Sequence, residues 1–186
     1  MTPWLILLAG PNGSGKSTLA RQPDFAARVA DAQAVFLNPD ELAKLAPVGA
    51  NHLIWSGREM HRLVAEFTAD RKPFMVETTL SGSNHFRTVE NCKAAGYKLS
   101  FTYVFVSSLG LANERVRLRV SQGGHDVPQA DQARRYEKSL RNAARMVNVA
   151  DEAFIYRNDH YSGHELIAVY ENGKTIQKAH NLDWLP

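Results

Sequence analysis

The feature that most constrains this chain is the stretch Gly10-Pro11-Asn12-Gly13-Ser14-Gly15-Lys16-Ser17-Thr18, which matches the phosphate-binding pattern GxxxxGK[ST] in full. Glycines allow the backbone to curl so that successive N–H groups point inward at the phosphates of a nucleotide. In this pattern the lysine, Lys16, reaches the β- and γ-phosphate oxygens, and the hydroxyl of Ser17 is a Mg²⁺ ligand. We therefore expect residues 10–18 to bind a nucleoside triphosphate together with Mg²⁺.

The residues on both sides of the loop favour a strand–loop–helix unit. Residues 4–9 form a short apolar run that is typical of a buried parallel strand. Residues 17–21 can continue as a helix, whose positive dipole end would face the same phosphates. A strand, a glycine-rich loop and a helix thus follow one another in the order that a phosphate site requires.

Composition indicates a globular protein of the cytoplasm. The chain has 186 residues, enough for one domain with a substantial core, and 44% of them are apolar. No apolar run approaches the ~18 residues that cross a bilayer, and the pattern of a secretion signal is absent. The single cysteine, Cys92, excludes an internal disulfide, and its helical spacing from Phe86 and Val89 predicts a buried thiol. We expect cytoplasmic localisation and no membrane partner.

Strand-like and helix-like segments alternate along the chain, which favours an α/β fold with a parallel sheet. Further strands are expected at residues 34–37, 74–76, 97–106 and 153–156, and helices at residues 51–71, 84–95, 111–121 and 129–147. Asn172-Gly173 indicates a hairpin over residues 166–176. We predict a single domain over residues 1–186 with a three-layer P-loop NTPase fold, made of a mostly parallel five-stranded sheet and a small C-terminal β-hairpin.

Two carboxylates follow predicted strands at the sheet edge where α/β proteins bind ligands. Asp40 comes after the second strand and could accept the proton of an acceptor hydroxyl, or it could cap a helix. Glu77 ends the third strand and could contact a Mg²⁺ water shell or a substrate hydroxyl, or pair with an arginine. Thr78, Thr79 and Ser81 could offer hydroxyls to a substrate or satisfy a turn.

Basic residues concentrate in one part of the chain although the net charge is only +3. Arg119 precedes a break at Gly123-Gly124, and Arg134 and Arg135 follow it, so residues 119–135 could form a lid that brings an arginine to the transferred phosphoryl group. Arg134 and Arg135 point about 100° apart on a helix, so both cannot face one site. Further basic residues, Lys138, Arg141 and Arg145, fit a solvated helix face.

Histidines are scattered without the spacing of a metal site. We interpret His160 and His164 as surface residues of a loop. Aromatic and basic residues do not alternate as they do in proteins that bind single-stranded nucleic acid, so a nucleic-acid partner is not expected.

Taken together, these motifs resemble those of the zeta toxin family of phosphoryl-transfer enzymes. The matching segments, in chain order, are the phosphate loop, Asn38-Pro39-Asp40-Glu41, Glu77-Thr78-Thr79-Leu80-Ser81-Gly82, Arg119-Val120, Gly123-Gly124-His125-Asp126-Val127-Pro128 and Arg134-Arg135-Tyr136. They extend from residue 9 to about residue 142. After the fifth strand this chain has Arg157-Asn158-Asp159, where relatives often carry Asp-Asn-Ser.

The resemblance implies an ATP- and Mg²⁺-dependent kinase that phosphorylates a hydroxyl of a sugar nucleotide such as UDP-N-acetylglucosamine. It implies that Lys16 binds the phosphates, that Ser17 binds Mg²⁺ and that Asp40 is the base. Arg119, with Arg134 or Arg135, would clamp the triphosphate. The substrate-binding set that we predict is Asn38, Asp40, Glu77, Thr78 and Thr79.

Three alternatives remain open on the sequence. A kinase of another metabolite, such as a sugar, nucleoside or antibiotic, would use the same loop and base with a different acceptor pocket. A nucleotide-dependent switch or nucleic-acid-associated ATPase would use the basic helix for a polyanion. A toxin component would have an antitoxin protein as its partner.

Overall fold

A computed structural model of the chain describes residues 2–123, 128–160, 163–179, 182 and 184–186, with the backbone but not the side chain of Asp40. The strands are β1 (Trp4–Ala9), β2 (Val35–Leu37), β3 (Phe74–Thr78), β4 (Lys98–Phe105), β5 (Glu152–Arg157), β6 (Glu165–Glu171) and β7 (Lys174–Lys178). The helices are α1 (Lys16–Leu19), α2 (Pro23–Asp31), α3 (Pro39–Lys44), α4 (His52–Ala69), α5 (Asn84–Ala94), α6 (Leu109–Ser121) and α7 (Gln129–Val147). Within these ranges no helix is both long and apolar enough to span a membrane.

The strands form one sheet in the order β2-β3-β1-β4-β5-β6-β7. The first five strands pair in parallel, as predicted, and β1 lies between β3 and β4. The predicted C-terminal hairpin is present as β6 and β7, but it extends the sheet instead of standing beside it, because β6 pairs antiparallel with β5. This pairing covers an edge that β5 would otherwise expose, and it makes a sheet of seven strands instead of five.

Helices cover both faces of the sheet, which gives the three layers expected from the alternating segments. Successive residues of β1 point to opposite faces, so Leu5 and Leu7 belong to one core cluster while Ile6 and Leu8 belong to the other. Helices α4, α5 and α7 pack on the first face, and α1 and α2 pack on the second. Cys92 is buried in the larger cluster, as predicted, and its burial raises the pKa of the thiol.

Helix α1 is shorter than predicted, because the helix after the phosphate loop was expected to continue to residue 21. It ends at Leu19, Gln22 is extended, and Pro23 begins α2. Proline lacks a backbone N–H and suits the first position of a helix, so Pro23 is well placed to begin α2.

Helix α4 begins at a capped N-terminus. The side chain of Asn51 accepts hydrogen bonds from the backbone N–H groups of Leu53 and Ile54, both at 3.1 Å. We predict that Asn51→Ala lowers the free energy of unfolding by about 1 kcal/mol, because two N–H groups at the start of α4 lose their acceptor. Chemical denaturation measures the change, and Asn51→Ser, which keeps a capping oxygen, serves as the control. An unchanged stability of Asn51→Ala would contradict the role of this cap.

Candidate nucleotide-binding site

The phosphate loop is held in a curled conformation that only glycine adopts without strain. Gly13 has φ +77° and Gly15 has φ +95°. A Cβ atom on Gly13 would overlap the carbonyl oxygen of Ala112 on α6, and one on Gly15 would overlap the side-chain amide of Asn158. The loop is also joined to the sheet, since the N–H of Gly10 donates to the carbonyl of Thr78 at 3.2 Å. The glycines therefore allow the close packing that fixes the loop.

Lys16 lies folded into this loop. Its ammonium donates to the carbonyl oxygens of Gly10 at 2.8 Å and Pro11 at 3.0 Å, and the residue is only 8% exposed. Burial lowers the pKa of Lys16 to about 8; the negative charge of Glu77 opposes this shift and the positive charge of Arg119 adds to it. An anion bound in the loop would supply the negative charge that a buried ammonium lacks.

Ser17 and Glu77 meet at the end of the loop. The hydroxyl of Ser17 donates to the two carboxylate oxygens of Glu77, at 3.2 and 3.3 Å. A hydroxyl and a carboxylate are hard oxygen donors of the kind that Mg²⁺ prefers, and Mg²⁺ usually takes only one or two carboxylates, completing its shell with phosphates and water. The donor set at this position therefore fits Mg²⁺ bound beside a nucleotide.

These groups line one open cavity of about 670 Å³, a volume within the usual range for small-molecule sites. Its lining combines the loop, the ends of β2 and β3, helix α6 and the segment after β5: Asn12, Gly13, Gly15, Lys16, Ser17, Thr18, Asn38, Pro39, Glu77, Thr78, Thr79, Arg115, Arg119 and Asn158. In the described part of the chain, the side-chain nitrogen of Asn12 is buried without a hydrogen-bond partner. A buried donor of this kind is suited to a phosphate oxygen.

Asn38 and Asp40 lie at the start of α3, next to this cavity. The carbonyl of Asn38 accepts from the N–H of Leu42 at 3.0 Å, which puts Asn38 rather than Asp40 at the capping position. The backbone of Asp40 follows Pro39, which lines the cavity. The structure does not describe the Asp40 side chain, so its role as the base stays a prediction.

The hydroxyl of Thr78 forms hydrogen bonds within the turn that follows β3, and Thr78 also lines the cavity. It accepts from the N–H of Leu80 at 2.9 Å and lies 2.6 Å from Nε2 of His85. Leu80 has φ +55°, which a leucine adopts only under strain, so this hydrogen bond stabilises an unusual turn. The hydroxyl of Thr79 lies 3.0 Å from that of Ser81.

The predicted arginines occupy two different places. Arg119 lines the cavity, and so does Arg115, one turn earlier on α6, which donates to the carbonyl of Asn158 at 2.6 Å. Arg134 and Arg135 instead pair with Asp131 on their own helix, at 2.7 and 3.8 Å. They are not among the cavity-lining residues, and residues 124–127 of the predicted lid lie outside the described residues.

Two residues that contact the loop were not predicted from the sequence. The side-chain nitrogen of Asn158 donates to the carbonyl of Ser14 at 2.8 Å. His164 lies in a loop, as predicted, but it is half-buried and contacts the phosphate loop: its Nε2 lies 3.0 Å from the carbonyl of Gly15 and its Nδ1 lies 3.2 Å from the side chain of Gln22. Burial lowers the pKa of His164, while the hydrogen bond to Gly15 opposes that shift. His160 is exposed, as predicted.

The sheet is mostly parallel, its strand β1 leads through a phosphate loop to helix α1, and the loop lysine is buried. These features define a P-loop nucleotide-binding protein. The family model of the zeta toxin matches residues 1–173, and the chain therefore belongs to the zeta toxin family.

Solved structures of similar fold share little sequence with this chain. A crystal structure of AvrRxo1-ORF1:-ORF2 with ATP superposes with a TM-score of 0.69 at 17% identity, covering 95% of this chain and 60% of that one. The PezAT toxin–antitoxin system of Streptococcus pneumoniae gives a TM-score of 0.65 at 17% identity, covering 84% and 68%. A putative kinase from Chloroflexus aurantiacus gives 0.54 at 16% identity, covering 75% and 79%. This chain thus spans about three fifths of the AvrRxo1 chain that it matches.

A relative in sequence comes from Haemophilus influenzae. This uncharacterized protein is 29% identical over 125 residues, which cover 66% of this chain and 84% of the relative.

The close packing of Gly13 against α6 generates a prediction. Gly13→Ala should lower the free energy of unfolding by about 1–3 kcal/mol, because the new methyl group must displace the carbonyl of Ala112 at a strained φ. It should also weaken ATP binding about tenfold or more, measured by calorimetry, because the loop shifts. Gly110→Ala on the same helix is the control, since its Cβ would meet nothing nearer than the Ser108 hydroxyl at 3.9 Å. Equal ATP affinity in both variants would refute this account of the loop.

Proposed function

We propose that the protein is a kinase that transfers the γ-phosphoryl group of ATP, with Mg²⁺, to a hydroxyl of a small molecule in the cytoplasm. The observation that carries the proposal is the composition of one cavity, in which the phosphate loop faces Glu77 and the Asn38-Pro39 segment that leads to Asp40. Donor phosphate and acceptor hydroxyl would meet there. Membership of the zeta toxin family and the fold shared with P-loop kinases support a kinase-like phosphotransferase.

In this proposal the loop binds the donor. Backbone N–H groups of the loop and the ammonium of Lys16 bind the β- and γ-phosphates. Ser17 and Glu77 hold Mg²⁺, which neutralises charge on the phosphate oxygens when it is bound. Arg119, assisted by Arg115, stabilises the charge that grows on the transferred group. Arg134 and Arg135 are proposed to contribute only if the α6–α7 segment moves toward the cavity.

The segment after β2 provides the base for the acceptor hydroxyl and a residue that orients the acceptor. The acceptor oxygen forms a bond to the γ-phosphorus while the bond to the β–γ bridging oxygen breaks, and ADP leaves. The hydroxyl proton goes to the carboxylate of Asp40. Asn38, Thr78 and Thr79 are the proposed contacts that orient the acceptor, beside Glu77.

The identity of the acceptor is the finer part of the proposal. The family resemblance favours a sugar nucleotide such as UDP-N-acetylglucosamine, and a different hydroxylated metabolite is the alternative. Incubation of the protein with ATP, Mg²⁺ and a panel of both kinds of compound, read by mass spectrometry, tests reaction and acceptor together. The proposal predicts an acceptor that gains one phosphoryl group as ADP accumulates. ATP hydrolysis without any phosphorylated acceptor would refute it.

An antitoxin protein is a proposed partner. The support is family membership and the likeness to the PezAT toxin–antitoxin system. Of the basic residues that would contact a nucleic acid, Lys138 and Arg141 are exposed, and the guanidinium of Arg145 lies over the ring of Phe86 at 4.5 Å. Co-purification with the product of a neighbouring reading frame, and loss of kinase activity in that complex, would test the antitoxin.

The proposed base generates a prediction. Asp40→Asn should lower the rate of phosphoryl transfer by about 10²–10⁴-fold, because the acceptor hydroxyl loses its proton acceptor, while the affinity for ATP stays within about twofold. Turnover and ATP titration measure the two effects. Asp31→Asn, at the exposed end of α2, is the matched control and should keep wild-type turnover. Near wild-type turnover of Asp40→Asn would remove Asp40 from the base role.

A further inference from the structure

A second cavity, of about 390 Å³, lies beside the nucleotide site. It is enclosed by helices α4 and α5 over the strands β1 and β3. Pro39 lines this cavity as well as the first one. The hydroxyl of Thr78, which lines the first cavity, lies 2.6 Å from Nε2 of His85, which lines the second. The shared Pro39 and this Thr78–His85 pair both show that the two cavities adjoin. A molecule held in the second cavity would therefore lie next to the Pro39-Asp40 segment and the phosphate loop.

The wall of the second cavity is mainly apolar. Side chains of β1, β3, α4 and α5 contribute hydrocarbon surface, from Leu5, Leu7, Met60, Val64, Val76 and Val89. Leu53 stands at the rim and is 75% exposed. Covering this exposed leucine with the apolar surface of a ligand would be favourable, because it removes apolar surface from water.

The polar groups of this wall are few and carry no fixed charge. Among the lining residues that the structure describes there is no lysine, arginine, aspartate or glutamate. The hydroxyl of Ser56 donates to the carbonyl of Leu53 at 3.2 Å, so it is already engaged. Burial and the neighbouring His61 lower the pKa of His85, which keeps this imidazole neutral. Asn84, Thr88, His61 and Nδ1 of His85 are the polar groups of this wall that could form hydrogen bonds with a ligand.

A diphosphate group would find no charge partner in such a wall. Burying an anion without a cation or a set of N–H donors is strongly unfavourable. Lys16, Arg115 and Arg119 line the nucleotide cavity, where the proposed function assigns them to the donor. Arg71 and Arg87 line a further cavity on the other side of His61 and Asn84, and neither arginine is among the residues that line the second cavity.

We propose that the second cavity is the acceptor pocket and that it takes an uncharged, partly apolar alcohol in preference to a sugar nucleotide. This inference rests on the proposed kinase function and narrows its acceptor class. The apolar part of the acceptor packs against Met60, Val64 and Leu53, its neutral polar groups bond to the histidines and Asn84, and its reacting hydroxyl faces the Pro39-Asp40 segment.

Gly57 offers a direct way to fill this pocket. It lies inside α4, lines the cavity, and a Cβ atom built there has no heavy atom within 4 Å. Because Gly57 lines the cavity, leucine at this position adds bulk at the cavity wall. Leucine also favours a helix more than glycine does, so Gly57→Leu should fold and melt no lower than the wild type. Gly57→Ala is the matched control, because its single methyl group occupies little of the cavity.

The test compares two sets of acceptors with ATP and Mg²⁺. Uncharged nucleosides and aryl glycosides form one set, and UDP-N-acetylglucosamine with UDP-glucose forms the other. We expect phosphorylation in the uncharged set, a KM for that acceptor raised about tenfold or more in Gly57→Leu, and less than about a threefold change in Gly57→Ala. The KM for ATP should be unchanged in both variants.

The outcomes separate this inference from the function on which it rests. Phosphorylation of the UDP sugars alone, or an acceptor KM that is the same in Gly57→Leu and the wild type, overturns the acceptor class while the kinase function stands. No phosphorylated product in either set overturns both.

Discussion

The structure depends on one constraint, the tight curl of the phosphate loop around the ammonium of Lys16. Three separate parts of the chain hold the loop from outside. The end of β3 accepts from Gly10, Asn158 after β5 donates to Ser14, and His164 lies against the carbonyl of Gly15. From inside, Lys16 donates to two carbonyls of the loop. The order of the strands brings these segments to one edge of the sheet, because β1 lies between β3 and β4, with β5 next.

This packing has an electrostatic consequence. Lys16 is taken out of water, so its charged form is disfavoured and its pKa falls to about 8. Glu77 compensates in part but also accepts from Ser17. A bound phosphate group would complete the set of charges. The loop is thus suited to an anion, whereas the apolar wall of the neighbouring cavity is suited to an uncharged, partly apolar ligand.

The sequence predicted the features that depend on local pattern. The apolar run at residues 4–9, the loop pattern and the parallel strands are each encoded within a few neighbouring residues, and the structure has all of them. Arg115 could also have been predicted, since it lies four residues before Arg119 and so on the same face of α6. The hairpin was predicted at Asn172-Gly173, but its attachment to β5 depends on pairing between distant segments.

Other features of the site depend on tertiary placement alone. His164 belongs to no sequence motif. It lies directly before β6, and only the tertiary fold brings this part of the chain next to the phosphate loop. Arg134 and Arg135 match a family motif, yet Asp131, on the same helix, pairs with both of them. The second cavity was not predicted either, because its wall combines two helices and two strands whose apolar residues are equally typical of a core.

Calorimetric titration of ATP into the protein at pH 8.5, in two buffers of different ionisation enthalpy, tests most directly whether the loop and Lys16 form a nucleoside triphosphate site. Burial lowers the pKa of Lys16 to about 8, so part of the free protein carries a neutral Lys16 at this pH, and bound phosphates favour the charged form. We expect ATP binding to take up a proton at pH 8.5, to take up much less at pH 7, and to be lost in Lys16→Met. Absence of ATP binding by the wild type, or binding to Lys16→Met with the same affinity and proton uptake, would contradict it.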